Sequence, residues 1–398
     1  MSETTASSWS KDVKVISLVS IAHGCSHYFQ LVLPPLFPVL TGVFDVGYTE
    51  LGFVMTLFFV TSGFGQVIAG FLVDHFGAKR VLILGMTVYS VAILCFAMAQ
   101  SFWMFYPAAV LLGLGNCVFH PSDFTIMNAS ISGSRIGRAF GMHTLGGNLG
   151  WAAAPFSMLT IAWLSNWRIA LMAASLIGFA IALALWYWRH DLTDRLAEPE
   201  KQNATSNSMS LGPMLTAPIV LCFLYFSLLA LALIAVQNFL PPTLQAMYGT
   251  PLAIGNTALT GFLLGASVGV VIGGVLADRT TRYSLMIATG LLLAALAFAS
   301  IAVWNLPTVL LVATTTLAGL LTGLTTPSRD MLVRAASPAN ATGRIFGFVY
   351  SGLDVGSALA PISIGVMLDY GEASALPWAI AIVLVLAIAT AVAVRPQN

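Results

Sequence analysis

Apolar residues in this chain come in long blocks, not in short alternations. Twelve blocks can be drawn, centred near residues 30, 60, 90, 117, 149, 178, 229, 264, 293, 320, 354 and 382. About 20 mostly apolar residues in a helix cross ~30 Å of hydrocarbon, so each block is long enough to span a membrane. Alternating segments of about ten residues do not recur, which argues against a transmembrane β-barrel. Ambiguous breaks fall at the Pro-rich ends of the first and seventh blocks, "LPP" from Leu33 and again from Leu240. The pattern predicts an all-α membrane protein with twelve transmembrane helices.

One polar stretch, "HDLTDRLAEPEKQNATSNSMSLGP", separates the first six blocks from the last six. It predicts an N-terminal bundle over 1–189, a cytoplasmic linker over 190–213 and a C-terminal bundle over 214–398. The two halves match in register. "QLVLPP" at Gln30 recurs as "QNFLPP" at Gln237, an offset of 207, and "GFLVDHFGAKR" at Gly70 recurs as "GVLADRTTR" at Gly274, an offset of 204. From Pro121 an offset of 206 aligns Gly137, Arg138, Phe140 and Gly141 with Gly343, Arg344, Phe346 and Gly347, then Gly146, Gly150 and Pro155 with Gly352, Gly356 and Pro361. Four helices therefore repeat. Parallel six-helix repeats with a binding site between them, near the midplane, are a transporter architecture. The repeat also sorts residues: those shared by the halves read as frame or gate, and polar residues found in one half read as chemistry.

Composition narrows the class. Only 8% of residues are charged and 58% are apolar, against roughly 25% charged in soluble proteins, so lipid has to be the solvent. The net charge of +1 comes with no basic cluster, and nucleic acid is not an expected partner. With the N-terminus inside, fifteen of the sixteen Lys and Arg fall in cytoplasmic loops, tails or helix ends, Arg168 being the exception. That bias predicts a multi-pass protein of a bacterial inner membrane with both termini cytoplasmic. Residues 1–12 lack a cleavage pattern, so the first span is expected to be its own insertion signal. Cys25, Cys95, Cys117 and Cys222 sit in separate blocks without metal or disulfide spacing.

The loop after the second block carries Gly70, Asp74, Gly77, Lys79 and Arg80, echoed after the eighth by Gly274, Asp278, Arg279 and Arg282. On these residues the chain resembles the major facilitator superfamily over its whole length. The resemblance implies two pseudo-symmetric six-helix bundles (the major facilitator fold) that rock about a central site. A closer resemblance, to the fosmidomycin-resistance branch of efflux proteins, rests on "GLGNCVFHP" at Gly113, "GGNLGWAAAP" at Gly146 and His23. It implies export of a small organic compound. The Gly150–Pro155 spacing recurs at Gly356–Pro361, which points to close helix packing.

Polar groups deep in a membrane are expensive and face the protein interior. In "HGCSHYFQ", His23, His27 and Gln30 share one helical face. Gln30 has a twin in Gln237, whereas His23 and His27 stand opposite Ala230 and Ile234. The glutamine is therefore expected to be frame, and the histidines are expected to bind substrate, a proton or both, with a hydrogen-bonded packing seam as the alternative. Asn116, His120 and Asp123 have the same spacing, and Pro121 can loosen the helix between them. His120 and Asp123 can load and release a proton as their exposure changes; the alternative is a fixed bond in a kinked helix. Asp354, opposite Asn148, is the acid nearest mid-membrane and a further candidate proton carrier.

Arg329 stands opposite Asp123 in the repeat, so the two are a candidate gate. An anion site, or a local pair with Asp330 or Asp354, is the other reading of Arg329. Asp74, Lys79, Arg80, Arg138, Asp278, Arg279 and Arg344 lie at cytoplasmic helix ends and read as conformational latches. Gln30, Asn116, His120, Asn148, Asn238, Tyr28 and Tyr350 complete the candidate substrate contacts.

No G-x-x-x-x-G-K-[ST] loop is present, so ATP hydrolysis is not expected, and no nucleophile–base–acid spacing suggests an enzyme. No cofactor is expected. A metal site would need three or four ligands, normally including a carboxylate or thiolate. Cys25 lies ~200° round the helix from the histidine pair, so metal or metal-chelate transport is the least favoured reading. The leading expectation is a monomeric, proton-coupled secondary transporter that exports a small organic solute. Uptake of an organic anion is the alternative.

Overall fold

The structure, a computed structural model, describes residues 9–132, 135–193, 216–277, 279–336 and 342–394. Fourteen α-helices account for the predicted blocks: α1 (Trp9–Gln30), α2 (Phe37–Phe44), α3 (Tyr48–Phe76), α4 (Ala78–Met98), α5 (Phe105–Asn116), α6 (Phe119–Ser130), α7 (Ile136–Leu164), α8 (Trp167–Tyr187), α9 (Ala217–Tyr248), α10 (Leu252–Ala277), α11 (Tyr283–Val303), α12 (Thr308–Ala336), α13 (Thr342–Asp369) and α14 (Ala375–Ala393). Two blocks are each built from two helices, α1 with α2 and α5 with α6. Among the described residues, ten spans are long and apolar enough to cross a membrane, and α3 makes an eleventh if its two parts, bent by 50°, count as one. The remaining block, α7, has the length at 29 residues. It dilutes its apolar character with five glycines between 137 and 150, His143 and Asn148.

The two Pro-rich breaks turn out differently. After Gln30 the chain leaves the helix, makes a short 3-10 turn at Pro34–Leu36 and resumes as α2. The second copy runs unbroken through Pro241 and Pro242 inside α9.

The chain falls into two compact units: residues 1–32 with 60–205, and residues 33–59 with 206–398. In the first unit α1 packs along α7, and α4 packs on α5 and α8. In the second, the repeat-related partners pack in the same way, α9 along α13 and α11 on α12 and α14. The segment 33–59 joins the second unit through close backbone contacts. A Cβ on Gly52 would collide with the Pro361 carbonyl, and Thr56 donates to Ala358 O at 2.8 Å. Asp369, at the end of α13, accepts from the Tyr48 and Thr49 amides at 2.7 Å each and caps α3. Gly77 takes φ 86° in the turn between α3 and α4, a left-handed conformation that explains the glycine in the loop signature.

Arg168, the one exception to the charge bias, has a structural use. Its Nη1 donates to the Ala97 and Ala99 carbonyls at 2.7 Å each, closing the C-terminal end of α4, and its guanidinium lies over Trp167.

Candidate functional site

The first unit brings α1 and α7 into backbone contact through glycines. A Cβ on Gly24 would stand 2.8 Å from the Gly146 carbonyl oxygen, and one on Gly146 would stand 2.6 Å from that of Ser20. Gly150 faces the Gly24 carbonyl at still closer range. Gly352 and Gly356 of α13 meet Phe223 and Ser227 of α9 in the same manner, so the shared glycines are packing residues in both units. Gly147 differs. A Cβ there would lie 2.7 Å from His27 Nδ1 and 3.0 Å from His23 Cδ2, and the repeat places Leu353 opposite it. The first unit alone keeps this position bare, and two imidazoles occupy the space.

The break between α5 and α6 places the acid. Pro121 has no N–H, so the Cys117 carbonyl four residues earlier loses its helical partner. The helix is interrupted at Cys117–Val118 and restarts at Phe119. This interruption splits the predicted Asn116–His120–Asp123 face. Asn116 ends α5, and Asp123 of α6 is fully buried among histidines.

Asp123 Oδ2 lies 3.0 Å from His143 Nε2, in hydrogen-bonding geometry, and 3.3 Å from His23 Nδ1. His23 and His143 stack with ring centroids 3.6 Å apart. On its other side His23 meets His27 at 4.3 Å, and His27 stacks on Trp151 at 4.1 Å. His120, the exposed member, lies 5.3 Å from His23, ring to ring. Two imidazoles, those of His143 and His23, thus stand against one buried carboxyl group, with His27 and His120 beyond His23. His23 Nδ1, His27 Nδ1 and Asp123 Oδ1 are buried without a hydrogen-bond partner. Left so, each such group costs about 1–3 kcal/mol.

His143 was absent from the sequence candidates, although the repeat contained the signal: position 349 opposite it is Val. Gln30 and Asn116 belong to a separate chain of hydrogen bonds. Trp151 Nε1 donates to Gln30 Oε1 at 3.0 Å, Gln30 Nε2 to Asn116 Oδ1 at 3.3 Å, and Asn116 Nδ2 to Ser62 Oγ at 2.7 Å. Tyr28 turns away from the histidines to Ser157 Oγ at 3.0 Å. Asn148 is half-buried on α7.

In the second unit, Arg329 pairs with Asp330 (Nε to Oδ1, 3.0 Å), and Tyr350 donates to the same oxygen at 2.9 Å. The guanidinium of Arg329 lies 4.6 Å over Phe226 and 5.8 Å from the centre of Tyr350. The local pairing is thus the one in place; Arg329 and Asp123 each have a partner within their own unit. Asp354 is exposed on α13, and Asn238 is buried with neither amide atom hydrogen-bonded. Asp74, Arg80, Arg138 and Arg279 are exposed at helix ends and Lys79 is half-buried. Asp278 lies outside the described residues, as does the side chain of Arg344. A groove of about 280 Å³ between α11 and α14 is lined by apolar residues alone, among them Leu292, Leu296 and Trp378, and lies apart from this chemistry.

Long apolar helices built twice over, with costly polar groups gathered inside, define a multi-pass membrane protein of the carrier type. The chain belongs to the Major Facilitator Superfamily, whose sequence model matches residues 19–256 and 229–398. Two relatives are the uncharacterized MFS-type transporter YfnC of Bacillus subtilis (strain 168), 26% identical over 269 residues, and the fosmidomycin resistance protein of Escherichia coli (strain K12), 23% identical over 270. Each match covers 67% of this chain, and the chain spans 65% and 66% of the two relatives. Among solved structures, a bacterial homolog of the human lysosomal transporter Spinster, inward-facing and unoccupied, superposes with a TM-score of 0.79 at 14% identity, over 97% of this chain and 95% of that one. It shares the fold.

Proposed function

We propose that the chain is a proton-coupled secondary transporter that exports a small organic solute by alternating access. The observation that carries this reading is the buried Asp123 with His143 and His23 against it and His120 exposed beside them. A carboxyl group among imidazoles can take up and pass on a proton as its exposure changes. His23 and His27 provide solute contacts, and Asp354 is a further proton carrier. The likeness to the fosmidomycin resistance protein supports export of a small organic compound. The bias of Lys and Arg supports a bacterial inner membrane with cytoplasmic termini. We take the working unit to be a monomer.

A second reading, uptake of an organic anion, is supported by Arg329, whose guanidinium lies over Phe226 beside Tyr350 and is 12% exposed. Proteoliposomes with an imposed pH gradient separate the readings. Phosphonates, carboxylates and hydrophobic drugs, first ranked by thermal shift, are tested for movement against or with protons. Solute movement that never carries protons would sink the coupling.

A further inference from the structure

We propose that His23, Asp123 and His143 form a binding site for a divalent transition-metal cation of the zinc type. The sequence argued against a metal because the first helix offered imidazoles without a carboxylate. The fold supplies what was missing, the Asp123 carboxylate from α6 and a further imidazole, His143, from α7.

The three donor atoms, His23 Nδ1, Asp123 Oδ2 and His143 Nε2, lie within 4.8 Å of one another, and all three residues are buried. The carboxylate oxygen stands 3.0 Å from one nitrogen and 3.3 Å from the other. Donors placed ~2.0–2.1 Å from a tetrahedral ion are separated by roughly 3.3 Å, so the spacing suits zinc without rearranging the helices. The second observation is independent of spacing. His23 is 3% exposed and Asp123 0%, yet His23 Nδ1 and Asp123 Oδ1 have no hydrogen-bond partner, although the His23 nitrogen is only 3.3 Å from the carboxylate. A buried imidazole nitrogen left unpaired beside a carboxylate whose second oxygen is also unpaired leaves coordination capacity for a guest, which would take the place of the bond between His143 Nε2 and Asp123 Oδ2 once the side chains turn toward it.

Two imidazoles and one carboxylate are a borderline-soft ligand set that suits zinc, cobalt, nickel or ferrous iron better than magnesium or calcium. Three protein ligands leave a fourth position open, where an anionic or chelating solute can bind the ion directly. His120, exposed and 5.3 Å from His23 ring to ring, marks the side from which an ion reaches the site.

The test uses the full chain, purified in detergent and stripped with a chelator. Isothermal titration with zinc chloride is expected to show one equivalent bound, and cobalt chloride to give the visible absorption of a tetrahedral cobalt centre. His143→Gln and Asp123→Asn are expected to weaken binding by at least about tenfold, the loss that even an outer partner of a metal site causes. His75→Gln, at an exposed position outside the cluster, is expected to leave binding unchanged. Wild-type protein that binds neither ion, or cluster variants that bind like wild type, would overturn the site. The wild-type titration alone decides if a variant fails to fold. The proton-coupling proposal uses the same cluster but stands or falls separately: a protein that binds neither ion yet exchanges solute for protons sinks the metal site only, and a metal-binding protein whose solute moves without protons sinks only the coupling.

Discussion

Gly147→Ala tests whether the histidines are held where the helix packing puts them. The added Cβ would lie 2.7 Å from His27 Nδ1, 2.8 Å from its Cε1 and 3.0 Å from His23 Cδ2, where ordinary contact begins at 3.4 Å. His27 therefore has to withdraw by about 0.7 Å and His23 by about 0.4 Å. Trp151, stacked on His27 at 4.1 Å, blocks the simplest retreat, so the displacement passes to His23 and its 3.3 Å approach to Asp123. Crowding of this kind costs ~1–3 kcal/mol, partly offset by the ~0.5–1 kcal/mol that alanine gains over glycine within a helix. Net destabilisation is then modest, about 0–2.5 kcal/mol by those two terms. The site suffers more, because misplacing a reacting group by ~1 Å can cost about a hundredfold in rate. Transport in proteoliposomes is expected to fall at least about tenfold on that scale, with thermal unfolding in detergent shifted only modestly. Gly141→Ala, on the same helix with nothing within 4 Å of its Cβ, is the matched control and should transport normally. Wild-type transport by Gly147→Ala would refute the placement of the imidazoles against α7.

Other substitutions probe the frame. Asp369→Ala removes both bonds to the first amides of α3 and is expected to cost ~0.5–2 kcal/mol; Asp369→Asn, which keeps one acceptor, should recover part of this in thermal unfolding. Arg168→Ala loses two charged bonds at the end of α4, worth ~1.5–3 kcal/mol each, and Arg168→Lys should not restore them, since it lacks the planar fork. His23→Ala and His27→Ala are expected to abolish or alter transport with folding intact, whereas Gln30→Ala should lower stability first. Unchanged transport in both histidine variants would return them to a packing role.

Much of this was legible in one dimension because membranes punish exceptions. The helices fall on the twelve apolar blocks, and the Gly146/Gly150 stripe packs as its repeat in Gly352/Gly356 implied. Gln30 places its amide between Trp151 and Asn116. What escaped was contact at long sequence separation. Nothing local says that residues 33–59 pack with the second half, because that depends on Gly52 meeting Pro361 and Tyr48 meeting Asp369 across the chain. The separation of Asn116 from Asp123 also needed the exact point at which Pro121 breaks the helix. His143 escaped for a different reason: it lies inside a closely matched repeat, where only its counterpart Val349 marks it as an addition.

The same contrast between the halves leads to a sharp prediction in the second unit. Asn238 stands opposite Leu31, so its amide is an addition to the shared frame. It is 1% exposed, and both its nitrogen and its oxygen are buried without a hydrogen-bond partner. Left so, each costs about 1–3 kcal/mol, a burden a purely structural position has no reason to keep. Asn238→Leu, which installs the residue its counterpart carries, is therefore expected to raise the unfolding temperature of the solute-free protein. If the amide is retained to bind solute, the same variant loses solute-induced stabilisation and transport. A variant that is less stable than wild type would mean that the amide is satisfied within the frame. One that is more stable and still fully active would remove Asn238 from the solute contacts.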